Sequence, residues 1–206
     1  LRAACDKAGA LLIFDEVITG FRIGMGGAQA KYDVRPDITC FGKVIGGGLP
    51  IGAIGGSRAV MENLSPLGKV FHAGTLAGNP LATAAGLSAL NELTQDVYME
   101  LGARARQLAT LLRDACTSAG ITAQFPVVGT LVGAFFGSRV PTNFDEAKQT
   151  DEKMYAKFFH AMLNEGVAMA PGAYEALFVG VGHTDAVMEQ LAAAAHRAAH
   201  AVATAK

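Results

Sequence analysis

Residues 11–48 have the sequence LLIFDEVITGFRIGMGGAQAKYDVRPDITCFGKVIGGG, and the prediction of the fold begins with these residues. They hold two short apolar runs, one ending at Asp15 and one leading to Lys43 and three glycines. Apolar runs of this length, bounded by polar and turn residues, predict strands buried on both faces of a parallel sheet. Because ligands of open α/β sheets bind outside the carboxyl ends of the strands, we expect Asp15 and Lys43 at a binding site.

The composition indicates an ordinary globular protein. Of the 206 residues, 51% are hydrophobic and 17% are charged, so the chain can bury a substantial core. A net charge of -1 argues against nucleic acid or an anionic membrane as the main partner. No apolar run reaches the roughly 18 residues of a membrane span, and no signal peptide is evident. The chain begins at Leu1 within a helix-like sequence, which favours a fragment of a longer protein.

The cysteines favour a reducing, cytoplasmic compartment. Cys5, Cys40 and Cys116 are far apart and odd in number, and they show neither metal-ligand spacing nor a disulfide framework. The five histidines likewise show no pairing with cysteines or acids at metal spacing, so we predict no metal site.

The first part of the chain alternates strands, glycine-rich loops and helices. Strands are predicted at 11–15, 38–41 and 51–56, the last returning like a hairpin, with helices at 1–9, 57–63, 80–93 and 97–120. Residues 16–30 and 64–78 are predicted loops. The last helix has an apolar stripe at spacings of three and four, formed by Leu101, Ala105, Leu108, Leu112 and Ala115.

The second part has the pattern of a small α+β domain. Strands are predicted at 121–124, 131–136, 167–170 and 177–181, a polar loop at 141–151, and helices at 151–165 and 184–205. We therefore predict a boundary that separates residues 1–119 from residues 120–206.

Lys43 and Asp15 are the strongest chemical candidates. Most lysines are solvated surface groups, but Lys43 follows an apolar strand and precedes glycines that cannot cover it. Asp15 is either a turn acid or a carboxylate that needs a cationic or donor partner at a buried strand end. A lysine for a Schiff base and an acid against a pyridinium nitrogen are the two groups that a pyridoxal phosphate site needs.

Other candidates are weaker on their residues alone. Val17 is either core or an apolar contact for a ring face. Gly74 and Thr75 offer phosphate donors, although an ordinary loop before a helix cap is favoured. Glu175 lies between two predicted strands, where a solvated side chain is the usual outcome, and a cap with a local hydrogen bond is favoured at His183.

Three runs together are far more specific. FDEVITGFR at 14–22, PDITCFGKVIGGGLPIGAIGG at 36–56 and HAGTLAGNPLATAAG at 72–86 resemble the class III pyridoxal-phosphate aminotransferases. GGAQAKYDVRPD at 26–37, SPLGKVFHAGTLAGNPLA at 65–82 and APGAYEALFVGVGHTD at 170–185 resemble the glutamate-1-semialdehyde aminomutase branch of that family. The resemblance covers essentially the whole chain but only the second half of such an enzyme.

The resemblance implies an α/β fold. Residues 1–119 would be the C-terminal portion of the large-domain sheet of a fold-type I pyridoxal-phosphate transferase with its interdomain helix, and residues 120–206 the small α+β C-terminal domain. The implied cofactor is pyridoxal 5'-phosphate, with pyridoxamine 5'-phosphate as its other form in the cycle. The implied reaction is an intramolecular amino exchange that converts a small amino-aldehyde, glutamate 1-semialdehyde, to 5-aminolevulinate for tetrapyrrole synthesis.

The resemblance also implies roles for individual residues. Lys43 would be the Schiff-base lysine and proton shuttle, Asp15 the partner of the pyridine nitrogen, and Val17 a contact of the ring. Gly74 and Thr75 would reach the phosphate of the neighbouring subunit in a homodimer. Glu175 would stand near the substrate.

Two alternatives remain open at this point. After Glu175 the sequence ALFVGVGHT lacks the glycine and serine usual in aminomutases, so a class III transaminase of another amino acid or amine is the second hypothesis. The third is an inactive fragment that binds no cofactor, because the family's other half carries part of the phosphate cradle, the stacking aromatic and the gating loop.

Overall fold

The computed structural model describes residues 1–204, which divide into two compact units. The first unit is Leu1–Tyr98, and the second begins at Met99. This division into compact units falls within a long helix and is not a test of the predicted domain boundary. The boundary between residues 119 and 120 stays a prediction.

A three-stranded sheet forms the centre of the first unit. Its strands are β1 (Ile13–Asp15), β2 (Ile38–Phe41) and β3 (Ala53–Gly56), in the order β1-β2-β3. β1 and β2 are parallel and place Asp15 opposite Cys40, whereas β2 and β3 are antiparallel. The predicted parallel pair and hairpin-like return are thus both present, and β2 has the predicted bounds.

The prediction that the strand run ending at Asp15 is buried on both faces is wrong, whereas residues 38–41 of β2 are buried or half-buried. Leu11 and Ile13 are each 56% exposed, and Ile54 on β3 is 43% exposed. An apolar strand sequence indicates that both faces pack against other elements, but those elements are not part of the strand itself.

The helices of the first unit are α1 (Arg2–Ala8), α2 (Gly27–Tyr32), α3 (Arg58–Met61) and α4 (Pro80–Glu92). α1 and α4 follow the terminal signals in their sequences. α1 ends at Gly9 in the left-handed conformation, with φ 65°, as predicted. α4 begins with Pro80, and the side chain of its N-cap Asn79 accepts a hydrogen bond from Ala82 N at 2.9 Å.

α2 was missed because its sequence gives a weak local signal. We predicted residues 16–30 as a loop, and the helix begins at Gly27 behind an N-cap glycine, Gly26, that makes no side-chain cap. Its first amides are bound instead by the side chain of Glu16, which is distant in sequence.

The second unit packs helices against a small antiparallel sheet. Its helices are α5 (Gln95–Ser118), which begins in the first unit, α6 (Phe144–Ala147), α7 (Glu152–Asn164) and α8 (Asp185–Thr204). Its strands are β4 (Val127–Val128), β5 (Leu131–Val132) and β6 (Leu177–Phe178), in the order β4-β5-β6. The predicted final residue of α8, Ala205, lies outside the described residues.

Several predicted elements of this unit are shorter or absent. Residues 121–124 make a single bridge, Gln124 to Phe135, and residues 167–170 are not a strand. The predicted strand 177–181 is reduced to β6, and the predicted polar loop 141–151 contains α6. The physical reason is that a short apolar run is buried equally well as extended coil, so burial alone does not specify ladder pairing.

The predicted stripe of α5 is confirmed as core. Leu101, Ala105, Leu108, Leu112 and Ala115 are all buried. The last four of these pack in one cluster with Phe158 and Met162 of α7 and Ala195 and Ala199 of α8. The 3.6-residue period therefore identified the buried face of this helix correctly.

Candidate active site

The ends of two neighbouring strands bring an acid and the segment that carries a lysine to one edge of the sheet. Asp15 is the last residue of β1 and lies opposite Cys40 of β2. Lys43 follows β2 after Gly42, and both Asp15 and Lys43 are exposed. One oxygen of Asp15 accepts a hydrogen bond from Val17 N at 3.1 Å. The acid is therefore held locally, and an exposed carboxylate remains available at the strand end.

Lys43 has an unusual backbone conformation. It begins a 3₁₀ turn, Lys43–Gly46, with φ 50°, in the left-handed region that L-residues seldom occupy. The turn ends at Gly47, which is also left-handed with φ 56°. Such strained residues persist only where surrounding contacts determine them, and they cluster at functional sites.

Val17 lies against the backbone that leads into Lys43. A Cβ placed on Gly42 would lie 3.2 Å from Val17 Cγ1, so the glycine allows the valine to approach closely. An apolar side chain thus packs against the residue directly before Lys43. An acid, an amine and an apolar side chain at one sheet edge fit the groups that a flat pyridine cofactor requires.

Glu16 is an important residue that the sequence reasoning missed. It is 1% exposed, and its carboxylate accepts hydrogen bonds from Ala28 N at 2.6 Å and Gln29 N at 3.2 Å. It also accepts from Gln29 Nε2 and Thr19 Oγ1, each at 3.0 Å. The available signal was a second acid directly after Asp15, ahead of a glycine-rich segment.

These contacts decide the ionisation of Glu16. Burial by itself would raise the pKa of Glu16, but the hydrogen bonds from Ala28, Gln29 and Thr19 outweigh it and hold the pKa below its ordinary value. A Cβ on Gly27 would overlap the Glu16 carboxylate, so this position needs glycine for space as well as for its φ of 60°. Glu16 therefore fixes the loop after Asp15.

Gly74 and Thr75 lie in an exposed segment before α4. Ala77 N donates to Gly74 O at 2.9 Å, and both Gly74 and Thr75 are exposed. The adjoining residues include Phe71, 82% exposed, and the exposed Leu76. The predicted phosphate role of Gly74 and Thr75 stays a prediction.

Glu175 and His183 belong to the second unit, where both line a cavity of about 430 Å³. Glu175 accepts a hydrogen bond from Gly172 N at 3.0 Å, and His183 Nδ1 accepts one from Gly180 N at 3.0 Å. The local hydrogen bond favoured for His183 is thus present. Burial first, and then the charge of Glu175, raise the pKa of Tyr155. The predicted substrate role of Glu175 stays a prediction.

Residues 1–204 contain neither a cluster of metal-binding side chains nor a helix suited to span a membrane. No group of three or more histidine, cysteine, aspartate or glutamate side chains is arranged to hold a metal ion in this part of the chain. Nor does any helix described here combine the length and hydropathy that crossing a bilayer requires.

Two curated relatives of this chain share the same enzyme name. The chain is 50% identical over 186 residues to a glutamate-1-semialdehyde 2,1-aminomutase of Desulfosudis oleivorans, covering 90% of this chain and 44% of that protein. It is 48% identical over 196 residues to the enzyme of the same name from Desulforapulum autotrophicum, covering 95% and 46%. The chain spans about half the length of these relatives.

Solved structures with the same fold include transaminases and an aminomutase. An omega-transaminase from Sphaerobacter thermophilus matches with a TM-score of 0.83 and 31% identity, over 96% of this chain and 46% of that one. A glutamate-1-semialdehyde aminomutase from Pseudomonas aeruginosa in complex with PMP matches with a TM-score of 0.81 and 25% identity, over 96% and 46%. The chain accordingly has part of the α/β fold of the fold-type I transferases, with helices and small sheets.

The family model described as aminotransferase class-III matches residues 1–195, almost the whole chain. The strand-end acid and lysine described above lie within this match. The chain belongs to the class III aminotransferase family.

Proposed function

We propose that the protein is a pyridoxal-phosphate-dependent aminomutase that converts glutamate 1-semialdehyde to 5-aminolevulinate in tetrapyrrole synthesis. The observation that carries the proposal is the pair of adjacent parallel strands that end at Asp15 and lead to Lys43. Identities of 50% and 48% to two enzymes of that name support the choice of reaction within the family. A small amino-aldehyde is the proposed substrate.

The residues of this chain have separate tasks in the proposed site. When bound, pyridoxal phosphate supplies an electron-withdrawing ring that stabilises a carbanion on the substrate. Lys43 would bind the cofactor covalently, and Val17 would contact the ring face. Asp15 would accept a hydrogen bond from the ring nitrogen and keep that nitrogen protonated. Once its amine is released, Lys43 would carry protons as a general acid and base, which requires the amine close to the reacting carbons.

The proposed assembly is a homodimer in which Gly74 and Thr75 bind the phosphate held by the other copy. Large apolar side chains flank this pair along the segment and are strongly exposed: Leu67, Phe71, Leu76 and Leu81. Several strongly exposed large apolar side chains in one segment are typical of a protein interface, and a second copy is the occupant that would also bring the phosphate to Thr75. We place the enzyme in the reducing cytoplasm, in line with its unpaired cysteines.

A class III transaminase is the second candidate, and a specific observation favours it. The matched structures with TM-scores of 0.83 and 0.84 and 31% identity are an omega-transaminase and a beta-phenylalanine aminotransferase from Variovorax paradoxus. Turnover of an amine with pyruvate or 2-oxoglutarate, without formation of 5-aminolevulinate, would support this candidate over the aminomutase.

The test uses the protein at its natural length. Borohydride reduction of the loaded protein fixes the cofactor to its lysine, and peptide mass spectrometry then identifies the residue. We expect the modification on Lys43 and its loss in Lys43→Ala, while Lys7→Ala, which removes an exposed lysine of the same unit, retains it. Modification of any other lysine would refute the site, and absence of 5-aminolevulinate from glutamate 1-semialdehyde would refute the reaction.

The 206 residues alone are expected to be inactive. They span about half of the relatives' length, and a cofactor site built from two halves and two copies needs the rest. Cofactor retention by this chain after gel filtration would contradict that expectation.

A further inference from the structure

Helix α4 and the turn that begins at Lys43 approach each other backbone to backbone. A Cβ on Gly86 of α4 would overlap the carbonyl oxygen of Ile45 in the turn. In the reverse direction, a Cβ on Gly47 at the end of the turn would overlap the carbonyl oxygen of Ala85. Each partner therefore presents a glycine where the other presents a carbonyl, and no side chain separates them.

The turn has support on a second side. A Cβ on Gly46 would lie 2.7 Å from Ile51 Cγ2, so the side chain of Ile51 fills the space beside that glycine. The turn's own hydrogen bonds are short-range, from Ile45 N to Gly42 O at 3.3 Å and from Gly47 N to Val44 O at 3.0 Å. This short segment is therefore held mainly by its packing against α4.

This support coincides with the strained residue. Lys43, with φ 50°, is the first residue of the turn, and its conformation is one that surrounding contacts must enforce. The direction of the lysine side chain from the sheet edge follows from that backbone conformation. A displaced turn would therefore redirect the amine.

We propose that Gly86, together with Gly47, is a positioning residue for Lys43, because the backbone contact between α4 and the turn holds the lysine backbone in its left-handed conformation. The importance of this for catalysis rests on the proposed function of Lys43. The positioning itself is a property of the protein without cofactor and is measurable there.

The main variant is Gly86→Ala in the protein at its natural length. Alanine has a higher helix propensity than glycine, but its Cβ would overlap the carbonyl oxygen of Ile45. A role limited to helix packing therefore predicts a change in stability without any effect specific to Lys43. The matched control is Gly102→Ala in α5, where a Cβ would meet only Arg106 Nη1 at an ordinary 3.5 Å. A second variant, Ile51→Ala, removes bulk on the other side of the turn and keeps the positioning of Lys43 testable if Gly86→Ala does not fold.

The first readout is the labelling of lysine amines in cofactor-free protein by formaldehyde and cyanoborohydride, quantified by peptide mass spectrometry. We expect the labelling rate of Lys43 relative to that of the exposed Lys7 to change by at least about threefold in Gly86→Ala and Ile51→Ala, because the reactivity of an amine follows its environment. Hydrogen exchange at residues 44–49 should accelerate in the same variants. Gly102→Ala should change neither.

The second readout is steady-state kinetics of the loaded enzyme. A misplacement of about 1 Å can cost about 100-fold, so kcat should fall by 10-fold or more in Gly86→Ala while KM changes less than about twofold. If the variants fold and Lys43 labelling and exchange match Gly102→Ala, the positioning proposal is overturned, whatever happens to kcat. Failure of Lys43→Ala to lose the cofactor would instead refute the proposed function and leave the labelling result interpretable.

Discussion

Glu16 provides the sharpest test of how the loop after β1 is held. Replacing Glu16 by alanine removes the carboxylate that binds the amides of Ala28 and Gln29 at the start of α2. The N-cap of this helix, Gly26, makes no side-chain cap, so Glu16 acts as a distant cap for two amides that otherwise have no intrahelical acceptor. Negative charge at a helix N-terminus is also favourable.

The expected magnitude follows from those two amides. A buried donor left unsatisfied costs about 1–3 kcal/mol, so two of them give roughly 3 kcal/mol for Glu16→Ala. The side chains of Thr19 and Gln29 can turn to other partners, and we assign them no further cost. Glu16→Gln keeps one acceptor oxygen but turns an NH₂ group toward a donor, so we expect about 2 kcal/mol.

The effect should depend on pH in one direction. Because the pKa of Glu16 is lowered in the folded state, its ionised form stabilises the protein fully above the unfolded value near 4.5, and that contribution is lost as pH falls through the folded pKa. The difference in unfolding free energy between wild type and Glu16→Gln should be constant from about pH 7 to 5 and shrink at lower pH.

Hydrogen exchange followed by mass spectrometry measures this locally, which is necessary because the chain forms two units and a single two-state transition is not assured. Exchange in residues 26–32 should accelerate by about 100-fold in Glu16→Ala, the equivalent of roughly 3 kcal/mol. The control is Glu92→Ala, an exposed glutamate at the end of α4. An acceleration below about threefold, or one equal to the control, would refute the capping role.

Three further predictions concern other parts of the chain. Asn79→Ala removes the cap of α4, so hydrogen exchange at residues 81–85 should accelerate about fivefold, the equivalent of about 1 kcal/mol, and an unchanged rate would contradict this. Burial raises the pKa of Cys116 to about 12, so at pH 8 iodoacetamide should label Cys40 at least about 100-fold faster than Cys116 in the native protein, and equal rates would show that Cys116 is accessible. Phe71→Ser should shift the natural-length protein from dimer toward monomer in analytical ultracentrifugation, and an unchanged dimer would remove this segment from the interface.

Elements with strong local signals were predicted well. β2 has the predicted bounds, α4 begins at the proline behind Asn79, and the stripe of α5 is buried as expected. In each case the information lies within a few residues, in a cap, a period or a bounding turn. The same is true of the order of β1, Asp15, β2 and Lys43, on which the candidate site depends.

Elements that depend on distant partners were not predicted. α2 forms where Glu16 binds its first amides, twelve and thirteen residues along the chain. Residues 167–170 are apolar but form no strand among the described residues, since an apolar run does not specify which strand it would pair with.

From the sequence alone one could predict that an acid ends one strand, that a lysine follows the neighbouring strand, and which face of α5 is buried. These features repeat or terminate over short distances. The folded structure was needed to show that Glu16 is buried against the first amides of α2. It was also needed to show that Lys43 has a left-handed φ at the start of a 3₁₀ turn that packs against Gly86 of α4. Both depend on contacts between residues far apart in sequence, where a glycine or a carboxylate has meaning only through the atom it meets.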